Sequence, residues 1–398
     1  MEPTEPHHNP YDIARLVARE FRQRHGEPIG IFRAPGRVNL IGEHTDYNDG
    51  FVMPAALAFY TYIAVGPRDD RRLNVYSVDF DEACGVELAA LAPGGTAHWF
   101  DYVRGVAAVM LSHGILVPGA NLVVKGEVPI GAGLSSSAAI EVATALALLA
   151  VAGVGVDRRE VASICQRAEH EFAGTKCGIM DQFIACYGKA NHALLLDCRS
   201  LDYELLAIGS RVRIVACNTM VKHALAGGEY NRRRADCEAG VDFLRQHLPE
   251  IRALRDVTLE QLVEFGAGMP EVTYRRCRHV ISENARVLDA AAALKRNDLE
   301  RFGALMGESH ASLRDDYEVS CTELDLMVEL ARNCPGAYGA RMTGGGFGGC
   351  MVNLVDADAV DEFRATVPRE YEQATGLRPE IYVCMAADGA GQITKSEA

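Results

Sequence analysis

Residues 36–50, GRVNLIGEHTDYNDG, set Arg37, Glu43, His44, Asp46 and Asp49 around an apolar run of Val38, Leu40 and Ile41. A free surface loop gains nothing from that run, whereas a segment pressed against a core holds its polar neighbours in fixed directions. Carboxylates accept hydrogen bonds from vicinal hydroxyls with good geometry, so this composition suits a polyol pocket. A second stretch, VPIGAGLSSSAAIEVA (residues 128–143), leads two glycines and three serines into a helical pattern. Glycine lets backbone approach a ligand closely, and the following helix start offers unpaired N–H groups and a positive dipole end, which together suit an anion. The stretch lacks the G-K-[ST] ending of a Walker loop, and Ser136 stands where a dinucleotide fingerprint has its third glycine.

A third stretch, AEHEFAGTKCGIMDQF (residues 168–183), carries Glu169 near a helix end and Asp181 among Ile179, Met180 and Phe183. A carboxylate among apolar neighbours is costly unless it meets a cation or does proton work. The glycines Gly344, Gly346 and Gly349 do spell G-x-G-x-x-G, but they run into the strand-like MVNLV. A nicotinamide site needs a strand before the glycines and a helix after them, so that reading fails. So dense a glycine cluster is expected to pack closely on a ligand or another loop.

The elements that must position these groups are legible in outline. PIGIFRA (28–34), YTYIAVG and ANLVVKGEVP read as strands, and residues 135–153 and 157–173 as helices, the second capped by Asp157. RVRIVACN, MVNLV and EIYVCMA supply later strands around several helical stretches between Tyr230 and Asn333. Strands and helices do not alternate regularly, so an α+β architecture is expected. There is no fixed-period repeat and no long linker, and the weakest junction falls near residues 197–208. The tail after Asp388 is small and polar and is expected to fray.

A length of 398 residues with 48% hydrophobic composition permits a large core, in two domains or one large one. The net charge of -14 argues against nucleic acid or an anionic membrane as partner. The apolar stretch Val142–Val156 is too short to span a bilayer and reads as a buried, Ala-rich helix. The N-terminus MEPTEPHHNP lacks a signal-peptide pattern, and twelve cysteines without a C-x-x-C pair read as free thiols in a reducing cytoplasm. No structural metal is expected, because HEF at 170–172 lacks the second histidine of a zinc motif.

Taken together, GAGLSSSA, MTGGGFGGC and CGIMDQF resemble the GHMP kinase superfamily, and GRVNLIGEHTDY resembles the signature of its galactokinase family. With VKHALAGGEYNRRR, the likeness runs from about Pro28 to Asp388. The resemblance implies an ATP-dependent, Mg2+-assisted transfer of phosphate to O1 of galactose. It also implies a two-domain α+β fold: an N-terminal domain like domain 2 of ribosomal protein S5 (residues 10–200, with the sugar motif and phosphate loop) and a ferredoxin-like C-terminal domain (201–390, with the glycine-rich motif). The active site would lie in the cleft between them. By motif, Arg37 and Asp181 would face the anomeric hydroxyl, Asp181 as base or orienting group. Glu43, His44, Asp46, Gly178 and Tyr230 would hold the sugar. Gly131, Gly133, Leu134, Ser135, Ser136, Ser137 and Ala138 would cradle phosphate, helped by Lys222, with Trp99 either beside the adenine or packed in the core. Ser137 and Glu169 would hold Mg2+. A sibling kinase for N-acetylgalactosamine or L-arabinose, and a sugar sensor without catalysis, are the competing readings. The resemblance allows a monomer or a homodimer.

Overall fold

The computed structural model describes residues 10–94, 98–222 and 226–394. In chain order, helix α1 (Pro10–His25) precedes strands β1 (Gly30–Asn39), β2 (Phe51–Val52), β3 (Pro54–Pro67), β4 (Arg72–Ser77) and β5 (Glu82–Glu87). Then come α2 (Trp99–Ser112), β6 (Ala120–Gly126), α3 (Ser136–Ala152), α4 (Arg158–Ala168) and α5 (Met180–Tyr187). Strands β7 (His192–Asp197), β8 (Tyr203–Ala207) and β9 (Val212–Lys222) follow. Next are α6 (Ala226–Leu244), α7 (Leu259–Phe265), α8 (Glu271–Lys295), α9 (Leu299–Ser312) and α10 (Thr322–Arg332). The chain ends with β10 (Ala337–Met342), β11 (Gly348–Asp356), α11 (Val360–Thr375), β12 (Glu380–Cys384) and β13 (Gly391–Ile393).

A six-stranded sheet runs β13-β1-β3-β6-β4-β5 and a four-stranded sheet runs β10-β11-β9-β12; β2, β7 and β8 make a third, smaller sheet. Helices α2 to α5 pack on one face of the first sheet and α1 on the other. The four-stranded sheet is covered by α6, α8, α10 and α11 around a separate core. A further core joins the halves, and it holds Val38, Leu40 and Ile41 together with Ile214, Val352 and Leu354. The apolar insert of the first motif is therefore wedged between the two sheets, wholly buried. That burial anchors the polar side chains beside it.

Three local features differ from the sequence reading. First, β1 does not stop at Ala34 but runs on to Asn39, with a register shift between Pro35 and Arg37. Proline cannot donate to the ladder, and a bulge re-aims the residue that follows it. Here Arg37 N turns away to donate to Leu134 O at 3.0 Å. Second, the helix starting after Asp157, whose side chain caps Arg159 N, is regular only to Ala168 and widens into a π turn over Glu169–Ala173. Such turns are rare and cluster at functional sites. Third, as far as Thr394 the tail is not frayed, while its last four positions, 395–398, lie outside the described residues. Gly391–Ile393 pairs with Ile31–Arg33, and Ile393 is buried, because β1 offers a free edge whose backbone groups need partners. Residues 197–208, read as the weakest junction, form most of the β7–β8 hairpin.

Helix α3 is apolar nearly all round, as its central position demands, and stops at Gly153 in the left-handed region. No helix among the described residues is long and apolar enough to cross a membrane.

Candidate active site

The bulge in β1 aims Arg37 at the first turn of α5, where Asp181 stands. Arg37 Nε donates to Asp181 Oδ1 at 2.9 Å and Nη2 to Oδ2 at 2.7 Å, while Nη1 donates to Gly133 O at 2.7 Å. The hydroxyl of Ser135 also donates to Asp181. Burial works against the Arg37 charge, but the carboxylates of Asp181, Glu43 and Asp46 outweigh it and keep the guanidinium firmly protonated. Asp181 Oδ2 therefore takes two donors, Arg37 and Ser135, whereas Oδ1 takes one and keeps a lone pair for a further donor.

On one side of this pair lies a cavity of about 190 Å³, lined by Arg37, Glu43, His44, Asp46, Glu169, Asp181 and Tyr230 among others. His44 takes a left-handed backbone (φ 63°), an unusual state for a non-glycine residue that functional sites tolerate. Its Nδ1 meets Tyr47 Oη at 2.8 Å, and the ring packs against Tyr317 and Tyr230. Burial first, then the neighbouring His279, Arg233 and Arg341 side chains, hold it well below the ordinary histidine range, hence neutral. Burial, with the Asp181 and Glu43 charges, pushes the Asp46 carboxyl up to about 7. Gly178 stands against that carboxyl so closely that a β-carbon there would overlap it. Glu43 accepts from Asn39 Nδ2 at 2.6 Å and from Gly344 N, which ties the first motif to the third.

On the other side a cavity of about 450 Å³ is lined by Gly131, Gly133, Leu134, Ser135, Ser136 and Ser137, with Phe80, Trp99 and Tyr102 beyond. Gly131, Gly133 and Ser135 all have positive φ, the alternation that turns successive N–H groups toward one anion. Ala138 is fully buried in the first turn of α3. The third motif closes over this loop: a β-carbon on Gly344 would sit 3.0 Å from Gly133 O, and one on Gly349 3.1 Å from Ala132 O. Their left-handed φ values and this approach require glycine. Trp99 stacks on Phe80 with ring centroids 6.0 Å apart. The backbone of Lys222 pairs with Gly348; its side chain lies outside the described residues.

Ser137 and Glu169 meet across the boundary of the two cavities by a hydrogen bond. Burial, then the Asp181 charge, raises the Glu169 carboxyl to about 7 despite that bond. A buried, reluctant carboxylate beside a hydroxyl is a hard-oxygen pair that a divalent cation would favour in its charged form. Sequence reasoning missed Gln182, whose Nε2 donates to Glu169 Oε2 at 2.7 Å and to Glu141 Oε2 at 3.0 Å. It also missed Thr343, whose hydroxyl accepts from Asn39 N at 3.0 Å. Each adjoins a recognised motif residue, and that adjacency was the available signal.

A nucleotide-sized cavity with a glycine-serine anion loop, meeting a polar pocket at one Arg–Asp pair between two α+β halves, defines a small-molecule kinase of the GHMP class. Known families bear this out: residues 101–189 match the GHMP kinase N-terminal domain, residues 290–373 the GHMP kinase C-terminal domain, and residues 19–67 the galactokinase galactose-binding signature. The chain belongs to the galactokinase family. It is 48% identical over 387 residues to galactokinase of Chloroflexus aggregans, covering 97% of this chain and 99% of that one. It is 46% identical to galactokinase of a Roseiflexus species, covering 96% and 97%. The structure of Lactococcus lactis galactokinase complexed with galactose superposes with a TM-score of 0.92 at 34% identity, covering 96% of this chain and all of that one. Mevalonate kinase of Methanococcus jannaschii, at 18% identity and TM-score 0.65 over 92% of this chain and all of that one, shares the fold.

Proposed function

We infer that this chain transfers the γ-phosphoryl group of ATP to O1 of D-galactose, giving galactose 1-phosphate and ADP. The observation that carries the reading is that Arg37 and Asp181 form a common wall of both cavities. An acceptor hydroxyl and a terminal phosphate brought from opposite sides would meet there.

Asp181 accepts the O1 proton on the Oδ1 lone pair that Arg37 leaves free, as the O1–P bond forms and the bond from Pγ to the bridging oxygen breaks. Arg37 fixes the carboxylate and places positive charge beside the oxygen that gains electron density. His44 and Asp46 present acceptors to the ring hydroxyls, and Glu43 braces the third motif against them. The N–H groups of residues 131–137 take the phosphates at the start of α3. Ser137 and Glu169 would hold Mg2+, which neutralises developing charge on the phosphates when bound. Twelve free cysteines fit a reducing cytoplasm as the site of action.

The test is ADP release from Mg-ATP with galactose, N-acetylgalactosamine, L-arabinose and glucose in parallel, with phosphorus NMR on the product. Turnover on galactose giving a 1-phosphate, and falling by roughly 10²–10⁴-fold in Asp181→Asn, is expected. Phosphate on another hydroxyl, or preference for another sugar, would overturn it.

A further inference from the structure

Among the described residues strand β5 is one edge of the six-stranded sheet, and its alternation puts Glu82 and Cys84 on one face. His98, the N-cap residue of α2, leans over that face, with its Nε2 3.3 Å from Glu82 Oε2. One donor atom from each of the three lies within 4.8 Å of the others. Glu82 and His98 side chains are about two-fifths exposed, at 43% and 41%, so a cation reaches them from solvent. The mechanism above uses none of these groups. We propose that Glu82, Cys84 and His98 form a site for a thiophilic divalent cation of the zinc class, with water in the fourth position.

The donor set is the reason for that class. Thiolate and imidazole select zinc-like ions over Mg2+, and one carboxylate completes a three-ligand set with an open position. Binding releases the Cys84 thiol proton to solvent and moves the imidazole proton from Nε2 to Nδ1, so one proton leaves per ion. The tautomer change gives up the long 3.4 Å contact by which Nδ1 caps Phe100 N. Charged groups facing the site include Arg104, which eases loss of the thiol proton, while burial and Glu82 oppose it.

The site abuts the 450 Å³ cavity, because Glu82 Oε2 also accepts from Trp99 Nε1 at 2.7 Å and Trp99 lines that cavity. A bound ion therefore competes for the carboxylate that steadies the indole. If that cavity holds the nucleotide, as proposed above, the ion weakens ATP binding and leaves galactose binding unchanged.

Trp99 is the only tryptophan, so its emission reports on the site. Full-length, chelator-treated protein without nucleotide would be titrated with Co2+ and with Zn2+. A saturable one-equivalent change in Trp99 emission and a thiolate-to-cobalt absorption band are expected, with the band lost in Cys84→Ser. In His98→Gln the Zn2+ affinity should fall by at least the roughly 10–100-fold that loss of an outer-shell partner costs. On the wild-type protein, which needs no variant to fold, Zn2+ should slow alkylation of Cys84 as read by mass spectrometry. A band that persists in Cys84→Ser, or no protection of Cys84, overturns the site. ATP titration of the metal-free protein tests the nucleotide reading separately: failure there leaves the metal result standing.

Discussion

Arg37 grips Asp181 by two parallel bonds across 144 residues of sequence, Nε to Oδ1 at 2.9 Å and Nη2 to Oδ2 at 2.7 Å. A planar fork makes that contact; a lysine ammonium makes one bond and leaves the carboxylate free to swing. Arg37→Lys is expected to lower kcat by about 10²–10³-fold, the cost of one misplaced transition-state donor, with a much smaller change in the KM for galactose. Combined with Asp181→Asn, it should cost little more than the worse single change, because the two residues act as a unit. Steady-state kinetics on the three variants decide this, and additive losses would separate their roles.

Gly178 has ordinary backbone angles, so alanine there brings no strain of its own, but its β-carbon would displace the Asp46 carboxyl. Gly178→Ala should therefore raise the KM for galactose about tenfold or more, as for loss of a hydroxyl partner worth roughly 1.4 kcal/mol, and leave the KM for ATP alone. Equal effects on both substrates would show a general collapse of the cleft instead.

The Asp46 carboxyl, pushed up to about 7 by burial and by the Asp181 and Glu43 charges, binds its proton more tightly in the folded chain than in the unfolded one. Its contribution to stability is full at low pH and is lost as pH rises from the unfolded value near ~3.9 through about 7. Asp46→Asn cannot ionise, so the ligand-free variant should gain on the wild type by up to a few kcal/mol at about pH 8 and much less at about pH 5. Activity should fall at both. Thermal melts at the two pH values measure the difference, and a gain independent of pH would point to packing.

Gln182 is fully buried, and one amide nitrogen serves both Glu141 and Glu169. Gln182→Met keeps the volume and removes the donor, leaving buried acceptors unpaired at a cost of about 1–3 kcal/mol. Urea unfolding should show that loss. The Mg2+ concentration needed for half-maximal rate should rise with it, since Glu169 is no longer held beside Ser137. Lost stability with an unchanged Mg2+ dependence would make Gln182 structural only.

Much of the site was legible because its residues come in contiguous runs. GEHTDY, GAGLSSSA and GIMDQF each carry residue types whose chemistry is local: acceptors for hydroxyls, backbone free to turn left-handed, a carboxylate among apolar neighbours. Helix α3 and its cap at Gly153 follow from apolar content and glycine in the same way. By itself, then, the sequence determined which groups the candidate site contains and which short elements carry them. The tertiary structure alone decided what they face. The bulge between Pro35 and Arg37, the strand formed by Gly391–Ile393 on the edge of β1, the closure of Gly344 on Gly133, and the sharing of Gln182 between two carboxylates all join distant segments. Periodicity and propensity encode a residue's own backbone and burial, whereas such pairings depend on how two sheets pack against a shared core, a property of no single stretch.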